Sequence, residues 1–199
     1  MHIGQSYTPQ NHLIKPQKTR SVILMNWNLP TNNWDGLNIE SNDVTGVHLH
    51  RTFRTISIIN IYNNCKNNGS LEVVEDFMRQ RGNRGGGMHG RSGESGERGK
   101  TIGLGYFKRH HPMRDEEMNT HLFTKAVLDA AQPLLDMIIG YDMQMALPKD
   151  LPMLEACMTK NFTRVNNIFP QQDFTIHSFY VTVVTTKDRP YAHNHGDGD

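Results

Sequence analysis

The stretch Thr101–Thr124, TIGLGYFKRHHPMRDEEMNTHLFT, passes from a short apolar run through a polar turn with two adjacent histidines into the start of a helix. A strand that ends in an exposed polar loop and hands over to a helix is where α/β chains place their chemistry. The rest of the sequence supplies elements for such a fold. Ser21–Asn26 (SVILMN), Val44–His50 and Thr55–Tyr62 (TISIINIY) are β-branched or alternating runs that predict three strands, and their succession suggests a meander in an antiparallel or mixed sheet. Leu71, Val74, Phe77 and Met78 keep helical spacing over 71–81, with Ser70 as the expected N-cap. A strand is expected over Thr101–Phe107. Asn119 or Thr120 should cap a helix from about His121 to Ala131, which Pro133 breaks before a second helix ending at Gly140. Met143–Leu147, Val165–Phe169 and Thr175–Thr185 read as strands, Leu151–Thr163 as a loop, and Met1–Thr19 as an arm without an element.

At 199 residues the chain suits one domain with a sizeable core. A formal net charge of +1 does not announce a nucleic-acid binder, although a local basic patch would be hidden in that sum. Cys65 and Cys157 are too few and too far apart for a disulfide framework and read as reduced thiols. No apolar run approaches a membrane span and the N-terminus lacks a signal-peptide core. An intracellular location, nuclear or cytoplasmic, is therefore expected.

Gly82–Lys100 is rich in glycine, arginine and serine and cannot bury enough apolar surface to offset its chain entropy. Disorder is expected there. Arg81, Arg84, Arg91 and Arg98 could contact the phosphates or bases of RNA or a single strand, with Glu94 and Glu97 cancelling some of the charge.

Two clusters have metal-ligating residue types. His110 and His111 stand near Asp115, Glu116 and Glu117, but neighbouring side chains diverge, so a solvated loop is the simpler reading. His193, His195, Asp197 and Asp199 alternate near the C-terminus and could hold zinc or nickel adventitiously, or a relocated metal of a hydrolase. No nucleophile elbow, P-loop or CxxC pattern occurs.

The segment from Gly105 to Glu116 (GYFKRHHPMRDE), followed by His121–Thr124 (HLFT) and Ala130–Asp136 (AAQPLLD), resembles a run in the endonuclease/exonuclease/phosphatase domains of fungal non-LTR retroelements. In that family the run is close to GDFNRHHPLWDE. Lys18–Asn26, Thr31–Trp34, Ser41–Gly46, Asn60–Asn64, Met143–Pro148, Leu154–Ala156 and Thr159–Arg164 are similar to further family segments, in the family's order. The likeness runs from about Lys18 to His195.

The resemblance implies an α/β fold, a two-sheet sandwich flanked by helices, deoxyribonuclease I-like and lacking its first strands. It gives an arm at 1–17, a partial domain at 18–195 and a tail at 196–199. It also implies descent from a Mg²⁺-dependent endonuclease that nicks DNA for reverse transcription. Such a site needs hard oxygen ligands for the metal and a carboxylate to take a proton from water.

This sequence departs from that pattern. At the family's catalytic aspartate stands Tyr106, and at the neighbouring asparagine Lys108. Asn166 and Asn194 replace aspartates, while Tyr62, Asn63 and His195 are retained family positions. The family's first strand and its metal-ligand glutamate would lie upstream of Met1. A phenol with an unperturbed pKa near ~10 is a poor base at neutral pH, and an ammonium group repels a cation. The expectation is a catalytically inactive remnant of a DNA endonuclease with no bound Mg²⁺. The alternative is a non-catalytic nucleic-acid-binding protein that uses the Gly/Arg-rich insert.

Overall fold

The computed structural model describes residues 6–7, 19–26, 28–51, 54–63, 66–84, 99–115, 117–147, 154–155, 162–163, 166–172 and 183–185. Its centre is the alternating segment around Thr55. Strand β4 (Val44–Arg51) pairs antiparallel with β5 (Arg54–Asn63), Val47 opposite Ile58 and Val44 opposite Ile61. Helix α1 (Gly69–Arg84) then crosses over to β6 (Lys100–Phe107), which runs parallel to β5. Such a crossover is what parallel pairing requires. The short strand β3 (Trp34–Gly36) lies outside β4, and β9 (Asn166–Pro170) lies antiparallel outside β6, completing a five-stranded mixed sheet in the order β3-β4-β5-β6-β9.

Side chains alternate across that sheet, so each face has its own core. On one face Ile58, Ile102, Leu104 and Val47 pack with Ile23 and Met25. Ile23 belongs to β2 (Ser21–Leu24), the middle strand of a second, antiparallel sheet with β1 (Ser6–Tyr7) and β10 (Val183–Thr185). Buried hydrogen bonds tie the layers: Ser21 Oγ donates to Asn60 O (2.9 Å), Thr45 Oγ1 to Ser21 O (2.7 Å) and Asn60 Nδ2 to Val22 O (3.0 Å). On the other face Val44, Ile59, Ile61, Phe107 and Phe169 meet α1 through Leu71, Val74 and Met78. They also meet α2 (Lys125–Gly140) through Leu134, Met137 and Ile138. Each fully buried aliphatic side chain here contributes roughly 1.5–3 kcal/mol. A separate two-stranded pair joins β7 (Leu154–Glu155) to β8 (Phe162–Thr163).

Several expectations change. The three early strands do not form one meander: β2 belongs to the second sheet, while β4 and β5 are adjacent in the first. The N-terminal arm contributes β1, and Leu151–Thr163 contains both strands of the β7–β8 pair. Ser70 is already inside α1, because Asn67 and Asn68 start the helix: Asn67 Oδ1 accepts from Gly69 N and Asn68 O from Leu71 N. The helix also runs through Gly82 to Arg84, into the segment expected to be disordered. Thr124, not Asn119 or Thr120, caps α2, its hydroxyl accepting from Val127 N; Glu117–Leu122 forms a 3-10 turn instead. Pro133 sits inside one continuous helix, since burial of Ala131, Leu134, Leu135, Met137 and Ile138 on one face outweighs the missing hydrogen bond. Met143–Ala146 is extended and bonded to β9, Gln144 N to Pro170 O and Ala146 N to Ile168 O, with only a single bridge at Met143. Of the strand expected at Thr175–Thr185, 183–185 is described. No helix among the described residues is long and apolar enough to cross a membrane.

Candidate functional site

Parallel pairing of β5 and β6 brings their C-terminal ends to one edge of the sheet, and antiparallel β9 begins there. Tyr62 stands opposite Tyr106, and Tyr106 opposite Asn166; Asn63 stands opposite Phe107. Tyr62, Asn63, Tyr106 and Asn166 are thus gathered within one or two residues of a single line, with Lys108 just beyond it. Asn194 and His195 lie outside the described residues, as do Arg91, Arg98, His193, Asp197 and Asp199.

Proximity along that line does not put all these side chains in one place. Tyr62 and Tyr106 share the face toward the second sheet, where their rings stack at 5.3 Å with 10° between planes. Asn63 falls on the opposite face, the one covered by the helices. It is 0% exposed, and among the described residues neither its Oδ1 nor its Nδ2 has a partner. A buried amide left unsatisfied costs about 1–3 kcal/mol per group.

Beside the tyrosines, Asp43 ends the loop into β4, and its carbonyl accepts from Tyr62 N at 2.7 Å. Its carboxylate is clamped by Arg20, Nε to Oδ1 and NH2 to Oδ2, both 2.6 Å. The same guanidinium lies 5.0 Å from the Tyr62 ring centroid. This fork-to-fork geometry is the strong form of a carboxylate ion pair.

Only part of the loop after β6 is solvated as expected, with Lys108, Pro112 and Met113 exposed. Arg109, Arg114 and Asp115 are buried. Arg114 donates to Arg109 O (2.8 Å) and Phe107 O (3.1 Å), and its guanidinium lies 5.9 Å from the Phe107 ring centroid. With its amide oxygen turned inward, Asn167 accepts from Arg114 Nε (3.0 Å) and NH2 (3.1 Å). Arg109 reaches Asn67 O and Asn68 Oδ1 at the start of α1. Asp115 Oδ2 accepts from His111 N (2.9 Å) and stands 3.5 Å from His110 Nδ1. Burial pushes the Asp115 carboxyl up, but the His110 imidazole, the His111 N–H and Arg114 together hold it below the ordinary value. Burial, with Arg114, lowers the His111 imidazole against the opposing pull of Asp115. His110 and His111 diverge, His111 Nδ1 accepting from Met113 N. The charges of this loop hold it against the sheet end; nothing in the spacing of RHHPMRDE distinguishes buried arginines from solvated ones.

No family model and no curated protein sequence matches the chain. Among solved structures, it is similar to the endonuclease domain of TRAS1, a telomere-specific non-LTR retrotransposon, with a TM-score of 0.52 and 13% identity. The match covers 76% of this chain and 60% of that one. The fold is deoxyribonuclease I-like. A Mg²⁺ ion requires hard, converging oxygen ligands. Among the described residues the row offers two stacked phenols, an amide turned to the other face and a carboxylate bound by arginine. No group of three His, Cys, Asp or Glu side chains could hold a metal there. The described residues do not fit the ion.

Proposed function

We propose that this chain is a nuclease-fold domain of retroelement origin that no longer cleaves DNA. The observation that carries the reading is the Arg20–Asp43 clamp beside the stacked Tyr62 and Tyr106. Asp43, the carboxylate of this corner, is held in an ion pair, and the resemblance aligns the Tyr106 phenol with the family's general base. Loss of a single electrostatic donor in such a site costs on the order of a hundredfold in rate. Substitution at Tyr106, Lys108, Asn166 and Asn194 together removes the reaction. The test is nicking of supercoiled plasmid by purified protein with Mg²⁺ or Mn²⁺. The expected result is no nicking above that of a His195→Ala variant. Robust nicking lost on His195→Ala would overturn the reading.

A second reading is retained binding of a nucleic-acid strand without cleavage. Half-buried Tyr62 and Tyr106 beside Arg20 and the exposed Lys108 combine an aromatic platform with cations, which suits stacked bases and phosphates. The Gly/Arg-rich insert would add Arg84, Arg91 and Arg98. Arg81, at the start of that segment, already donates through NH1 to Ser57 Oγ. Deletion of 85–98 spares α1 and β6. Salt-sensitive RNA or single-strand binding lost in that deletion would assign binding to the insert; loss in Tyr62→Ala would assign it to the tyrosine corner. Absence of binding in the intact chain at low salt would exclude both.

A further inference from the structure

At the other end of the same strands, about seven residues of β5 or roughly 23 Å from the tyrosines, the sheet and α1 flank an open cavity of about 390 Å³. Its walls are His48, His50, Thr55, Phe77, Gln80, Arg81 and Gly99. The register explains the gathering. His48 lies opposite Ser57 and His50 opposite Thr55, so all four side chains share the face that carries the helices, and the last turns of α1 supply Phe77, Gln80 and Arg81.

Hydrogen bonds link three of these side chains. Arg81 only donates, and NH1 gives its hydrogen to Ser57 Oγ. Ser57 Oγ in turn stands 3.0 Å from His48 Nδ1. His50 Nε2 is paired with the Asp35 carboxylate. Arg81 has no carboxylate partner among the described residues and is half-buried. Gly99 makes room for it: a Cβ there would come within 2.4 Å of Arg81 NH2 and 2.7 Å of Thr55 O. Burial, then the Arg81 charge, lowers the His48 imidazole; Asp35 opposes this and His50 adds to it.

We propose that this cavity is a binding site for a phosphate dianion, free or as the terminal monoester of a small molecule or strand end. The Arg81 guanidinium, the His48 and His50 imidazoles, the Thr55 hydroxyl and the Gln80 amide belong to residues that line it from three elements, a set of groups able to donate to phosphate oxygens. Phe77 gives the organic part of an ester an apolar wall, and the volume falls within the range of small-ligand sites. The site is independent of cleavage and would persist in a chain with no nuclease activity.

The test is titration of the full chain with inorganic phosphate at constant ionic strength, reading the imidazole nitrogen resonances of His48 and His50. Saturable displacement of both is expected, with potassium chloride producing none. Arg81→Met should weaken binding by about tenfold or more, the loss of one charge-assisted hydrogen-bonded group. The exposed Arg79→Met should leave affinity unchanged. If Arg81→Met fails to fold, Arg81→Lys, which keeps the charge and loses the fork, should still weaken binding severalfold. A 5′-phosphorylated oligonucleotide binding more tightly than inorganic phosphate, with its hydroxyl counterpart inert, would identify a strand end as the source; equal or weaker binding would identify a free phosphate. No saturable shift with inorganic phosphate, or a shift equal in Arg81→Met and the parent chain, would overturn the proposal.

Discussion

The ring of Tyr106 lies flat against that of Tyr62, with centroids 5.3 Å apart and planes within 10°. Parallel register alone puts them opposite each other at the ends of β5 and β6, and stacking of such a pair contributes about 0.5–1.5 kcal/mol beyond burial. An acidic side chain at 106 would gain no such contact. The stack is thus a stabilising contact that a tyrosine supplies at this sheet end.

That account makes a reversion informative. Tyr106→Asp with Lys108→Asn and Arg20→Met would introduce one carboxylate and release another, Asp43. The triple variant should be less stable by roughly 2 kcal/mol without metal, from the lost stack and the lost ion pair. It should also gain a rise in melting temperature with added Mn²⁺ that the parent chain does not show. Equal responses to Mn²⁺ would count against the assignment of this corner.

Gly105, directly beneath the pair, has φ of +147°, and a Cβ there would stand 1.9 Å from Ile61 O. The clash is with backbone, so no rotamer relieves it. Gly105→Ala should cost roughly 3 kcal/mol or more in urea unfolding. A loss within about 0.5 kcal/mol, the range of an ordinary surface change, would mean that the strand bends differently.

The sequence makes β4, β5 and β6 legible because their β-branched alternation is also their burial pattern, Ile59 and Ile61 facing the helices while Ile56 and Ile58 face β2. It makes the substitutions at Tyr106 and Lys108 legible because they interrupt a run matched on both sides. The resemblance implies two sheets, but the residues themselves do not assign Ser21–Leu24 to the second, since it looks like any buried strand and its partners are far away in sequence. Nor does the sequence reveal Arg114, which has the composition of a solvated loop residue and is 1% exposed. Its burial depends on the carbonyls of Arg109 and Phe107 and on Asn167, fifty residues on. Pro133 misleads by propensity, because a helix break is a local penalty while the buried face of α2 is a tertiary gain. His48, Ser57 and Arg81 carry no spacing signal; the sheet register and α1 bring them together.

Asp115 gives a pH dependence with a definite sign. Its folded pKa lies below the ordinary 3.8, so its contribution is present above that value and is lost as pH falls through the folded pKa. Asp115→Asn should cost about 1–2 kcal/mol at pH 7. The gap from the parent chain should close in strong acid, as chemical unfolding across pH would record. A gap that widened on acidification would contradict the role of the His110, His111 and Arg114 contacts.

Pro133→Ala should stabilise the chain. The substitution restores an N–H in the middle of α2 and relieves the proline ring's clash with the preceding turn, together about 3 kcal/mol in helix propensity. Greater freedom of the unfolded chain offsets about 1 kcal/mol of that. A net gain of about 1–2 kcal/mol is expected, read as a higher denaturant midpoint at unchanged slope; a loss would show that the ring itself is needed for packing.

The most direct measurement is Mn²⁺ titration of the full chain, followed by paramagnetic broadening of the Tyr62 and Tyr106 ring resonances. The account predicts no saturable binding and no selective broadening of those rings. One well-occupied ion that broadens both, displaced by Mg²⁺, would contradict it.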